Sequence, residues 1–312
     1  FYMNFNAYHK GNKNYKSTTK DVKRLLKDLN NEKVDGVIVD LRDNGGGSLK
    51  EASQLTGLFL KTGPTVQIRT KFRISRMYDE DPSIYYNGPL IVLIDRMSAS
   101  ASEIFAGAIK DYNRGIIVGS RSFGKGTVQE LQPLEKGKLK LTIAKFYRVS
   151  GKSTQNLGVV PDINFPHIYK VDDTGESSLE GALLWDITIK SSYDAYKDLS
   201  PSLEQLRQEH EKRSSINPGL IYLKKKLVLT SELDEKKKWS LNEQVRRDSK
   251  KRLEEKELVI ENDFLKATDK EAIVDINQRK TRINDYKDIL LRETQMIMVD
   301  FIDISKKMGY KW

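Results

Sequence analysis

The sequence predicts an α/β fold with a mixed sheet, followed by a charged, mainly helical region, and three observations carry that prediction. In the first part of the chain, short apolar runs rich in β-branched residues alternate with stretches of helical periodicity. Glycine-rich breaks mark the joints between them. Past about Ser191 the composition changes, with roughly 40% of residues 201–312 charged against about a quarter before.

In chain order, Val22, Leu25, Leu26 and Leu29 recur at helical spacing from Thr19 to about Leu29, and Val34 to Leu41 reads as a buried strand. Asp43-Asn44-Gly45-Gly46-Gly47 breaks the chain, and a helix resumes from Leu49 to Leu60 with Ala52, Leu55, Leu58 and Phe59 apolar. Val66 to Thr70 predicts a strand, Lys71 to Asn87 a polar and aromatic loop or hairpin, and Leu90 to Ile94 a second buried strand. Ser98 to Tyr112 is a helix entered through serines, Gly115 to Gly119 a short strand, Lys138 to Val149 a long one, and Gly158 to Asp162 a turn-rich return. Leu241 to Leu258 and Thr281 to Ile302 carry heptad-like helical patterns. The boundaries expected from this are a core over 1–190 and a helical domain over 191–312, with no internal repeat.

The chain has 312 residues, ample for a sizeable core. It contains no Cys, which excludes disulfides, thiolate nucleophiles and Cys-based zinc sites. Its three histidines, His9, His167 and His210, are too scattered for a His-pair metal motif, so no metal and no cofactor is expected. The net charge of +10 permits anionic partners and selects none. In the charged region, however, 25 basic residues face 21 acidic ones, and the lysine runs at 224–226 and 236–238 read as solvated helix faces, so no nucleic acid is expected. No apolar run approaches the roughly 18 residues of a membrane span. The start at Phe1-Tyr2-Met3-Asn4 has no signal pattern, so the chain is expected to be the remainder of a longer protein whose first part lies before Phe1.

Without Cys or a usable His, the candidate nucleophile is a Ser activated by something other than imidazole, and Lys is the obvious partner. Ser100 follows a buried strand and sits at the start of a helix, where backbone N–H groups and the helix dipole favour developing negative charge. Taken alone, Ser98, Ser100 and Ser102 read equally as helix caps. Lys125 lies between Gly124 and Gly126, which allow close backbone approach and a poorly hydrated amine; taken alone, it is a surface turn with a solvated lysine. Gly119, Gly124 and Lys125 match part of a phosphate loop, but Gly126 stands where a hydroxyl should ligate magnesium. Gly45-Gly46-Gly47 offers exposed N–H groups for an oxyanion, or a flexible turn.

Together these elements resemble the C-terminal processing peptidases, and most closely their periplasmic tail-specific branch. The resemblance runs through Asp40-Leu41-Arg42-Asp43-Asn44-Gly45-Gly46-Gly47, Thr56-Gly57-Leu58-Phe59, Gly88-Pro89-Leu90, Asp95-Arg96-Met97-Ser98-Ala99-Ser100-Ala101-Ser102-Glu103-Ile104-Phe105, Gly124-Lys125-Gly126-Thr127-Val128-Gln129, Lys145-Phe146-Tyr147-Arg148 and Gly158-Val159-Val160-Pro161-Asp162. It is strong over about residues 15–170 and looser in the charged region.

The resemblance implies a crotonase-like mixed-sheet protease core and a serine endopeptidase with a Ser/Lys dyad. Ser100 would be the nucleophile, Lys125 the general base and Gln129 the residue orienting it. Gly46, Gly47 and the N–H of Ala101 would form the oxyanion hole, and Asp111 is a secondary candidate with packing as its equal alternative. It further implies protein or peptide substrates with apolar C-termini, a possible adaptor protein and a periplasmic location. Members carry a PDZ domain ahead of the core; none is read in these residues, and its place is expected before Phe1. Gly119 to Phe123 also departs from the family's usual acidic-then-Pro lead, which bears on that loop and not on the dyad. The alternative is a catalytically silent scaffold acting in envelope protein quality control.

Overall fold

The computed structural model describes residues 16–167, 173–234, 238–276 and 285–310. Its elements run α1 (Thr18–Asn31), β1 (Val37–Asp40), α2 (Leu49–Gly57), β2 (Pro64–Arg69), β3 (Ile74–Tyr78), β4 (Leu90–Ile94), α3 (Ala101–Asp111) and β5 (Ile116–Gly119). They continue through β6 (Thr127–Pro133), β7 (Lys138–Tyr147), β8 (Ile163–Asn164), α4 (Ser200–Ile216), α5 (Pro218–Asp234), α6 (Glu243–Ala267) and α7 (Asp285–Lys307).

The mixed sheet predicted from sequence is two four-stranded sheets. One is parallel, in the order β1-β4-β5-β8, and the other antiparallel, in the order β3-β2-β7-β6. Every residue of β4 is buried, as expected of a central parallel strand covered on both faces. Its alternate side chains point into different cores. Leu90, Val92 and Ile94 pack with Leu26, Leu55 and Phe105 of the first three helices and with Phe59, just beyond α2. Ile91 and Leu93 pack with Leu206 of α4 and Ile297 and Phe301 of α7. The charged region therefore supplies two amphipathic helices that close the second face of the sheet.

A third cluster, Ala52, Val66, Ala101, Ile104 and Phe146, joins α2 and α3 to the antiparallel sheet. Helix α3 is thus wedged between the two sheets, buried from Ala101 to Ile109. The Arg114 guanidinium, almost fully buried, donates to the carbonyls of Phe59 (3.0 Å), Gly88 (3.0 Å) and Tyr86 (2.8 Å) and so ties the end of α2 to the entry of β4.

The differences from the sequence reading have physical causes. Strand β6 is absent from that reading because it is an exposed hairpin arm, TVQELQP, with only Thr127 buried and no apolar alternation to mark it. Strand β8 spans two residues, too few for a pattern. Lys225 is exposed, as a solvated face requires, and pairs with Asp263 (2.5 Å), whereas Lys226 departs from that reading and is buried against Glu257 (3.1 Å) between α5 and α6. Residues 281–284 of the last heptad stretch, Lys236 and Lys237, and His9 lie outside the described residues.

Candidate active site

Ser100 is delivered by the turn that leaves β4. The Asp95 carboxylate accepts from Met97 N and Ser98 N, each at 3.0 Å, and also from Asp43 N at 3.1 Å. The flanking serines bind this turn to the glycine-rich segment: Ser98 Oγ donates to Leu41 O at 2.8 Å and Ser102 Oγ to Asn44 O at 2.9 Å. Ser100 stands between them as the N-cap of α3 at φ +54°, ψ −110°, a conformation that costs a non-glycine residue about 1–3 kcal/mol. Of the three serines that sequence reads alike, two are fasteners and one sits on the strained turn.

The organising residue is Glu103, fully buried one turn into α3. Its Oε2 accepts from Ser100 N at 2.8 Å and from Lys125 N at 2.9 Å. Its Oε1 accepts from Ser122 Oγ at 2.6 Å and Gly124 N at 2.7 Å. Burial pushes its carboxyl up to about 7, against the pull of these four donors. Sequence alone assigns Glu103 no role, although it lies within the motif that carries Ser100. The signal is there as the Ser-x-x-Glu of a helix capping box, Ser100 to Glu103.

Glycines 124 and 126 serve Lys125 as close-approach positions. A Cβ at Gly124, which lies at φ +95°, would fall 2.9 Å from the Asn156 carbonyl carbon, and one at Gly126 would fall 2.8 Å from Gln155 N. Gly126 N donates to Gln155 Oε1 (2.9 Å), and Gln155 Nε2 donates to Glu176 Oε1 (3.2 Å), so the loop is held from both sides. Lys125 Nζ donates to Gln129 Oε1 at 3.4 Å, and Gln129 Nε2 to Thr142 Oγ1 at 3.5 Å. Burial first, and then the like charge of Lys140, lower the Lys125 pKa and favour the neutral amine.

Gly46, at φ +96°, lies against the Ser100 turn: a Cβ there would fall 2.5 Å from Ala99 O, 2.8 Å from Ala101 N and 2.9 Å from Ser100 Cβ. Its N–H donates to Asn44 Oδ1 at 3.1 Å. Among the described residues, no acceptor engages the N–H of Gly47 or of Ala101. The structure thus brings Ser100, Lys125, Gln129, Gly46, Gly47 and Ala101 into one region. Among the described residues, no hydrogen bond joins Ser100 Oγ to Lys125 Nζ. Asp111 is at the other end of α3, where its carboxylate accepts from Arg148 Nε (3.1 Å), Ser150 N (3.2 Å) and Ser150 Oγ (2.8 Å).

Known proteins are similar to this chain. The family model for peptidase family S41 matches residues 2–165, more than half of the chain, and that for the C-terminal domain of tail specific protease matches residues 169–303. The tail-specific protease of Haemophilus influenzae is 40% identical over 303 residues, 92% of this chain and 43% of the relative. The carboxy-terminal-processing protease of Bartonella bacilliformis is 41% identical over 177 residues, 53% of this chain and 41% of the relative. Among solved structures, the photosystem II D1 C-terminal processing protease is 34% identical with a TM-score of 0.45, covering 50% of this chain and 41% of the other. The chain spans less than half the length of these relatives.

Proposed function

This chain belongs to peptidase family S41, and from that premise we propose that it carries the catalytic centre of a serine endopeptidase in which Ser100 is the nucleophile and Lys125 the general base. The observation that carries the reading is the Glu103 carboxylate, which takes a hydrogen bond from the backbone of each of the two residues. Two distant segments are thereby locked to one buried group, as a reaction centre requires.

In the reaction, neutral Lys125 Nζ takes the Ser100 Oγ proton as Oγ attacks the scissile carbonyl. The oxyanion develops beside the N–H groups of Gly47 and Ala101, with Gly46 N–H joining once it leaves Asn44 Oδ1. The ammonium of Lys125 then protonates the leaving amine, giving an acyl-enzyme and a shortened peptide. Water, deprotonated by Lys125, hydrolyses the ester and returns the proton to Ser100. Gln129 steers the amine between these steps. The hydrogen bond between Oγ and Nζ forms when substrate is bound, as catalytic contacts commonly tighten only then.

The substrates we propose are proteins with accessible, apolar C-terminal tails, delivered in some cases by an adaptor, and the compartment is the periplasm. These parts rest on the resemblance to the tail-specific branch and on the Haemophilus influenzae relative. No helix among the described residues is long and apolar enough to cross a membrane. The residues over 191–312 act as a helical accessory to the core.

The test is cleavage of an unfolded protein ending in apolar residues by this chain and by its Ser100→Ala and Lys125→Ala variants, with fragments followed by mass spectrometry. Loss in both variants is expected. Cleavage that persists in Ser100→Ala refutes the nucleophile assignment. Binding of the substrate without any cleavage favours the silent scaffold, the reading to which the missing Oγ to Nζ hydrogen bond lends weight.

A further inference from the structure

The β6–β7 hairpin begins two residues after Lys125, and its register sorts its side chains between two faces. Gln129 lies opposite Thr142, Leu131 opposite Lys140 and Pro133 opposite Lys138. Directly opposed residues of an antiparallel pair share a face, and so do residues two apart along each strand. Gln129, Leu131, Thr142, Lys140 and Lys138 therefore stand on one face. It is the face of the catalytic lysine, because Gln129 accepts from Lys125 Nζ and donates to Thr142 Oγ1. The carboxylate of the hairpin strand itself, Glu130, is opposite Leu141 and points to the other face.

Lys138 and Lys140 are exposed, and among the described residues neither pairs with a carboxylate. The charged groups felt by Lys125 come from three directions: Lys140 on β7 opposes its protonated form, whereas Glu176 and Glu103 favour it. The hairpin thus presents two cations without counter-ions, arranged outward from the dyad in steps of one strand repeat, about 7 Å each. Strand β6 is the outer strand of its sheet, bonded only to β7, so an extended chain has an open edge along which to run.

We propose that Lys140, with Lys138 beyond it, forms a subsite for acidic side chains of the substrate, spaced two and four residues from the substrate residue beside Gln129. The inference rests on Ser100 and Lys125 being the catalytic pair. It adds a preference that an apolar tail does not: a Glu or Asp near the scissile bond, in register with the hairpin. Occupation of the subsite also neutralises Lys140, which ties substrate charge to the protonation of the general base.

The experiment uses amidated peptides, so that the terminal carboxylate plays no part, with a single Glu moved one position at a time and matched Gln controls. Wild-type chain and the Lys140→Gln, Lys140→Arg and Lys138→Gln variants are compared in kcat/KM, and binding to Ser100→Ala is read by fluorescence anisotropy. Expected is an advantage of about two- to fivefold for Glu over Gln, recurring at every second position, falling with salt, lost in Lys140→Gln and kept in Lys140→Arg. Lys140→Gln also moves the acidic limb of the pH–rate profile to higher pH, because a like charge has been removed from Lys125. Equal treatment of Glu and Gln, in cleavage or in anisotropy, overturns the proposal, as does an advantage unchanged in Lys140→Gln. Cleavage that survives Ser100→Ala instead refutes the dyad, while the anisotropy arm still judges the subsite.

Discussion

The backbone N–H groups of Ser100 and Lys125 donate to the same oxygen, Glu103 Oε2, at 2.8 and 2.9 Å. One residue begins a helix and the other lies in a glycine-flanked loop beyond the next strand, so a single buried carboxylate sets their separation. Each oxygen of Glu103 accepts two hydrogen bonds, so four donors from two segments depend on one side chain.

Glu103→Gln is therefore expected to lower kcat/KM by about 100-fold, the scale of a misplacement near 1 Å. The amide replaces one oxygen with a donor group, which meets two of the four donors and leaves them without an acceptor. Circular dichroism keeps the native secondary structure, and thermal unfolding shows a loss of about 1–3 kcal/mol for each orphaned donor. Activity within twofold of wild type would show that Glu103 does not set the dyad.

The same residue gives stability a pH dependence of defined sign. Burial raises the folded-state pKa of Glu103 to about 7, above the ordinary glutamate value. Its contribution is fully present below about pH 4.3, the unfolded value, and is lost as pH rises through 7. Compared with Glu103→Gln, wild-type stability is expected to decline across that window by about 3 kcal/mol, since each pH unit between the unfolded and folded pKa is worth about 1.4 kcal/mol. Denaturant titrations of both proteins at pH 4.5 and 7.5 measure it.

For Lys125 the sign is opposite. A lysine with a depressed folded pKa contributes stability that is present above its unfolded value, near 10.4, and lost as pH falls through the folded one. Below that folded value the fold must hold a half-buried ammonium. Lys125→Met is expected to abolish cleavage and to raise the midpoint of thermal unfolding at pH 7, with the gain shrinking as pH approaches 10. Wild-type cleavage rises with pH along a limb centred below the ordinary lysine value.

Much of this was legible in the residues. The run LIVLI announced a strand buried on both faces, because five apolar residues in a row leave no side for water. Gly124 and Gly126 announced close approach to Lys125, and Asn156 and Gln155 are the backbones that approach. What stayed hidden depends on contacts between distant segments. That Ser98 and Ser102 are fasteners follows from Leu41 and Asn44 lying beneath them, and Glu103 gains its meaning from Lys125, two elements away. Strand β6 was hidden for another reason: it buries almost nothing, and only its pairing with β7 makes it a strand.

Gly46→Ala tests the oxyanion segment. At φ +96° an alanine is strained, and its Cβ would meet backbone atoms, Ala99 O at 2.5 Å and Ala101 N at 2.8 Å, which cannot swing aside as a flexible side chain would. The segment must shift away from Ser100. A loss of about 1–3 kcal/mol is expected in thermal unfolding, together with a fall in kcat that KM does not share, because the oxyanion donors act in the transition state.

Asp111 provides the contrast that separates structure from catalysis along one helix. Its carboxylate accepts from Arg148 and from the backbone and hydroxyl of Ser150, and the pair with Arg148 is largely shielded, with side-chain exposures of 7% and 13%. These bonds pin the C-terminal end of α3 to the strand end that follows β7, ten residues of helix away from the turn at Ser100. Asp111→Asn leaves the Arg148 guanidinium without its counter-charge, a change that costs about 3–5 kcal/mol when such a pair is buried. Unfolding is expected to move to lower temperature by several degrees. Below that temperature, kcat and the pH–rate profile stay those of wild type, because no atom of Asp111 touches Ser100, Lys125 or Glu103. A shifted pH limb with unchanged stability would reverse the assignment and make Asp111 part of the proton path.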